Sequence, residues 1–155
     1  MNEDRRALTS VLEAGALDRD HLSVHSISPY DRTLARVRAD RARIVSEFRS
    51  SVNMSKAEIA AWLDTDVSHS VGWRRGPHEE SVGHQSGRRI LQILKTPESR
   101  LTDEDLLHMR TVLGFIRRHL AQRPRNDNAE SKWACSLKNW GRDPSRTRRM
   151  ARTMK

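Results

Sequence analysis

The sequence holds seven histidines, the residues best suited to acid–base or metal chemistry at neutral pH. His69, His78, His84, His108 and His119 are scattered without a C-x-x-C, HExxH or comparable ligand frame. A metal site would need side chains from separate segments to converge, so none is assigned. Nucleophilic catalysis needs a serine or cysteine beside a base and an orienting group. Ser68, Ser70, Ser81 and Ser86 lie near His69 and His84, yet none sits in a G-x-S-x-G elbow. Cys135, the single cysteine, reads as a small core residue. Glu79 and Glu80 precede a helix start, where negative charge is stabilising for ordinary dipole reasons. No catalytic residue and no cofactor is assigned.

Segment 80–89, ESVGHQSGRR, is the most suggestive local feature. It joins a helix start to glycines, hydroxyls and two arginines, and free N–H groups at a helix start favour an anion. Ser81, Gly83, His84 and Ser86 are therefore candidate anion ligands. The Gly-Lys-Ser/Thr ending of a P-loop is absent. Trp73 stands beside Arg74 and Arg75, a grouping suited to stacking on bases and touching phosphate. The competing expectation, which we favour from sequence alone, is that Trp73 plugs its loop onto the core.

The elements that must position these residues are helical. Leu34, Val37, Ile44, Val45 and Phe48 follow one helical face, predicting a helix over 32–50 with Asp31 at its start. Ser55 and Glu58 match a capping box ahead of Ile59, Trp62 and Leu63. Residues 65–80 read as a loop, with Gly72, Gly76 and Pro77 as breakers. Ser81 opens a helix over 82–95 with Ile90, Leu91, Ile93 and Leu94 on its buried face. Gly83 and Gly87 on its early turns permit another backbone to come close. Thr102 caps a helix over 103–121 carrying Leu106, Met109, Val112, Leu113, Ile116 and Leu120. Trp133, Leu137 and Trp140 recur at helical spacing before Gly141. No strand-like alternation occurs. The expectation is an all-α fold: a compact bundle of four to five helices over 31–144, a flexible extension over 1–30, and a basic tail over 145–155.

The composition narrows the class. No apolar run approaches the roughly 20 residues of a membrane span. The N-terminus lacks the layout of a secretory signal, and one cysteine cannot form an internal disulfide. A cytoplasmic protein that avoids membranes is expected. Its net charge of +9 is unevenly spread: residues 1–48 sum to 0, 49–105 to −1, and 106–155 to +10. That last stretch holds 13 basic side chains against 3 acidic ones. Such asymmetry attracts polyanions. Arginine outnumbers lysine 24 to 5, which suits bidentate phosphate contact but also follows from GC-rich codon usage.

Four blocks are distinctive together: Ser70-Val71-Gly72-Trp73; Glu80-Ser81-Val82-Gly83-His84 with Ser86-Gly87-Arg88-Arg89-Ile90; Arg118-His119-Leu120-Ala121-Gln122-Arg123-Pro124; and Trp133, Ser136-Leu137, Asn139-Trp140-Gly141 and Asp143-Pro144. They resemble a small family of unknown function found in bacteria and fungi, some members of which carry a DNA-binding label. The likeness covers about 48–144. It departs at Arg142, where such proteins have histidine in Asn-Trp-Gly-His-Asp-Pro, and over 1–30. The family supplies no catalytic residues to carry over.

The function expected is DNA binding, mainly through phosphate. The tail and its neighbours (Arg117, Arg118, Arg123, Arg125, Arg142, Arg146, Arg148, Arg149 and Arg152) would supply the electrostatic attraction, with Arg74, Arg75, Arg88 and Arg89 as a second contact. RNA is a competing ligand. One alternative is an interaction or regulatory module meeting an acidic protein partner. Another is a small nucleotide-binding protein or enzyme built on segment 81–89 and His119.

Overall fold

The computed structural model describes residues 27–126 and 128–146. The chain divides into two units, residues 1–36 and 37–155. Of the expected extension, residues 1–26 lie outside the described residues, as do the tail from 147 and its Arg148, Arg149 and Arg152. Among the described residues all regular structure is helical. The α-helices are α1 (Pro29–Ala39), α2 (Arg41–Ser51), α3 (Lys56–Leu63), α4 (Asp66–Ser70), α5 (Val82–Lys95), α6 (Asp103–Ala121) and α7 (Lys132–Asn139). A 3₁₀ turn, Glu98–Arg100, lies between α5 and α6. The protein is all-α.

Helix starts follow local chemistry closely. Ser55 and Glu58 form the reciprocal capping box of α3, and Thr102 and Asp105 form that of α6. Ser81 caps α5 by accepting from the His84 N–H at 3.1 Å. Two predictions need correction. The helix expected over 32–50 is two helices, broken at Asp40, whose backbone (φ −94°, ψ 10°) leaves the helical region. The loop expected over 65–80 contains α4, one turn of helix capped by Thr65. The first unit starts α1 in a way the sequence reading also missed. Ser28 Oγ accepts from the Asp31 N–H at 3.1 Å, so Ser28 caps and Asp31 sits inside the first turn.

In the second unit α2 packs along α6, burying Ile44, Val45 and Phe48 against the stripe of Leu106, Met109, Val112, Leu113 and Ile116. Each fully buried side chain of this kind contributes about 1.5–3 kcal/mol relative to exposure. On the other side α3 lies on α5, and α7 touches α3, α4, α5 and α6. Closure at α7 depends on Gly87: a Cβ there would stand 2.6 Å from the Asn139 carbonyl oxygen. The two glycines of α5 therefore serve packing, since Gly83 is likewise buried against Asn139 and Trp140.

Three helices are locked by one buried amide. Asn139, with no exposed surface, accepts at Oδ1 from Trp62 Nε1 (2.8 Å) and Ser68 Oγ (2.6 Å). Its Nδ2 donates to the Ser68 carbonyl at 3.2 Å. Beyond α7 the chain is tied back to the loop before α3. Asp143 N–H donates to Asn53 Oδ1 at 2.7 Å, and Asn53 Nδ2 donates to the Asp143 carbonyl at 3.0 Å. No helix among the described residues is long and apolar enough to cross a membrane.

Candidate functional site

The segment singled out as an anion cradle is a helix start closed from within. Ser81, His84 and Ser86 are all buried. Ser81 Oγ caps α5, His84 Nε2 lies 2.8 Å from the Leu63 carbonyl, and His84 Nδ1 pairs with Glu80. Ser86 Oγ shares a hydrogen bond of 3.0 Å with His108 Nε2. Burial opposes the charge on Glu80, but hydrogen bonds from His84 and Arg88 outweigh it and hold the carboxyl below its usual range. These residues position α5 against α3 and α6; the polar groups expected to meet an anion meet the protein instead.

The arginines divide into two sets. Arg74 donates to the carbonyls of His69 and Glu79, Arg88 pairs with Glu80, and Arg89 with Asp105 at 2.7 Å. Arg117 lies 4.0 Å from Glu47, a contact too exposed and loose to hold it. Arg123 lies over the Trp133 ring, 5.1 Å from its centroid. Arg142 donates to the Ser51 carbonyl at 2.9 Å, closing the C-terminal end of α2, a favourable place for a cation. Arg146 grips Glu58 and the Asn53 carbonyl. Arg75, Arg118 and Arg125 are exposed and make no hydrogen bond or ion pair among the described residues. Of the arginines singled out from the sequence, this second set and the loosely placed Arg117 are presented to a partner without first breaking a firm internal contact.

Trp73 overturns the expectation of a plug. Its side chain is 69% exposed, although its backbone is fixed by the Val82 N–H, which donates to its carbonyl at 2.9 Å. Gly72 just before it has φ +97°, a conformation that side-chain-bearing residues rarely adopt. The indole is therefore held out into solvent by a well-tied loop.

Behind it lies a cleft of about 620 Å³ walled by α5, α6 and α7. Trp73, Phe115, His119, Trp133 and Trp140 line it, with Lys132 and Ser136. Phe115 stacks on Trp140 (centroids 4.0 Å apart, planes at 12°) and on His119 (3.9 Å, 23°). Trp133 Nε1 donates to the His119 carbonyl at 2.8 Å, tying α7 to the end of α6. Burial, assisted by Arg118, pushes His119 below the usual histidine range. Sequence reasoning placed Trp133 and Trp140 at helical spacing on one short segment and did not join them to Phe115. The usable signal was the i, i+4 pair Phe115–His119 on one face of α6.

A second open cavity of about 540 Å³ shares Val82 and Trp140 with the first and is lined by Ser86, Arg89, Glu104 and His108. Burial and Arg89 push His108, beside Ser86, below its usual range. Among the described residues no group of three or more His, Cys, Asp or Glu could hold a metal ion.

The cleft draws on three of the four distinctive blocks and on His119 of the other. The chain has no match among curated proteins or among solved structures. Residues 47–138 match the model of a family described as a protein of unknown function, DUF3140, and the chain belongs to that family.

Proposed function

We propose that the protein binds DNA by contacting phosphates through exposed basic side chains on and beside the aromatic cleft, with RNA as the competing ligand. The observation that carries this reading is the sorting of the arginines. Of the arginines singled out from the sequence, once the firmly engaged ones are set aside, Arg75, Arg117, Arg118 and Arg125 remain, and Lys132 is exposed on the cleft wall. Arg75 lies two residues after the exposed Trp73, and Arg118 precedes His119 of the cleft. The +10 charge of residues 106–155 strengthens the field around this end of the sequence.

Phosphate contact releases counterions, so affinity falls linearly in log–log form with salt. Fluorescence anisotropy of a labelled duplex, titrated with the full chain at several salt concentrations, measures this slope. Arg75→Ala, Arg118→Ala and Arg125→Ala should each lower it by up to about 0.9. Arg89→Ala should act on stability instead, because its partner Asp105 belongs to the α6 cap. No binding at low salt, to duplex or single strand, overturns the proposal.

A further inference from the structure

We infer that the cleft behind Trp73 seats an unpaired nucleobase, so that the ligand is single-stranded nucleic acid. This rests on the nucleic-acid reading above and specifies its substrate class. Three observations carry it.

The first is the geometry of the rings. His119, Phe115 and Trp140 stack on one another in the cleft wall, Trp140 being buried, and the rings left to a ligand are the exposed Trp73 and the half-buried Trp133. An exposed aromatic face accepts any base and carries no charge requirement. At about 620 Å³ the cleft falls in the ~300–1,000 Å³ range of small-ligand sites. A paired base inside a duplex presents only its edges, so it cannot lie against these faces.

The second is the state of the polar groups. The Ser136 hydroxyl and the Trp140 indole N–H have no hydrogen-bond partner among the described residues, though both residues line the cleft. A base edge offers acceptors and donors to such groups, while a purely apolar ligand would leave them unmet. The third is Trp73 itself, whose ring is exposed although the Val82 N–H ties its carbonyl and the Arg74 side chain ties the surrounding loop through the His69 and Glu79 carbonyls. Lys132 in the wall, with Arg75 and Arg118 nearby in sequence to lining residues, supplies cations for the phosphates on either side of the seated base.

The test compares three labelled ligands on the full chain: single-stranded oligodeoxyadenylate, a strand of equal length and charge bearing abasic sites, and the paired duplex. Tryptophan fluorescence is read alongside anisotropy. The expected result is quenching and tight binding with the adenylate strand, binding about tenfold weaker or more to the abasic strand, and no quenching by duplex. Trp73→Ala should lower adenylate affinity by about tenfold while leaving abasic-strand affinity unchanged, and Trp73→Phe should restore it. If the abasic strand binds as tightly as the adenylate strand, the cleft inference falls and phosphate binding stands. If none of the three binds at low salt, the nucleic-acid reading falls and the inference with it. Should Trp73→Ala fail to fold, the abasic comparison on the unmodified protein decides alone.

Discussion

Asn139 shows how much a single side chain can hold in this protein. Its amide takes two donors and gives one hydrogen bond, all without contact with solvent. Asn139→Ala strands the Trp62 N–H and the Ser68 hydroxyl in the interior, at about 1–3 kcal/mol for each unsatisfied group. A loss of about 3 kcal/mol in urea unfolding is expected. Glu58 gives a pH-dependent counterpart. The Arg146 hydrogen bond, with help from Ser55, lowers its carboxyl from 4.5 to about 2. A carboxyl depressed in the folded state contributes stability that is complete above pH 4.5 and is lost as pH falls through about 2. The melting temperatures of the unmodified protein and Glu58→Gln should therefore differ at neutral pH and converge on acidification. A gap that persists unchanged at low pH would contradict the pairing.

At the scale of elements, two glycines on neighbouring helices should respond oppositely to the same substitution. In Gly87→Ala the new methyl meets the Asn139 carbonyl oxygen and Leu63 Cδ2, both at 2.6 Å. Backbone cannot step aside, so α7 must shift, and a loss of about 1–3 kcal/mol is expected. In Gly114→Ala the methyl meets only the mobile Arg118 Nη1 at 3.2 Å, and a helix interior gains about 0.5–1 kcal/mol from alanine. Thermal unfolding of both variants checks the sign. The starts of α3, α5 and α6 were legible because a cap is a local arrangement of three or four residues. The break at Asp40 was not, because Val37, Ile44, Val45 and Phe48 remain buried on both sides of it and keep the periodicity intact. Helix α4 escaped notice for the opposite reason: five polar-rich residues give too little pattern to register.

Across the molecule, part of the positive charge belongs to the fold, which composition does not show. Arg142 and Arg146 belong to the fold, through the end of α2 and through Glu58. Deletion of residues 142–155 should therefore lower the melting temperature and confuse any binding result. Deletion of 147–155 removes Arg148, Arg149, Arg152 and Lys155 while sparing both anchors. If these four side chains touch phosphate, the salt slope of duplex binding should fall by up to about 3.6. An unchanged slope would place the phosphate contacts on Arg75, Arg117, Arg118, Arg125 and Lys132.

The all-helical class, the caps of α3, α5 and α6, the core stripes and the location of excess charge were determined by sequence alone, since each rests on near neighbours or on simple counting. Tertiary structure decided which polar groups are free. Ser81, His84 and Ser86 looked like ligands because a sequence cannot show that Leu63, Glu80 and His108 lie waiting for them. Trp73 looked like core because large aromatics are usually buried, and only the folded loop reveals it standing in solvent. The cleft joins Gly72 to Trp140 across α5, α6 and α7. Such convergence depends on how helices cross, a long-range property that no local spacing encodes.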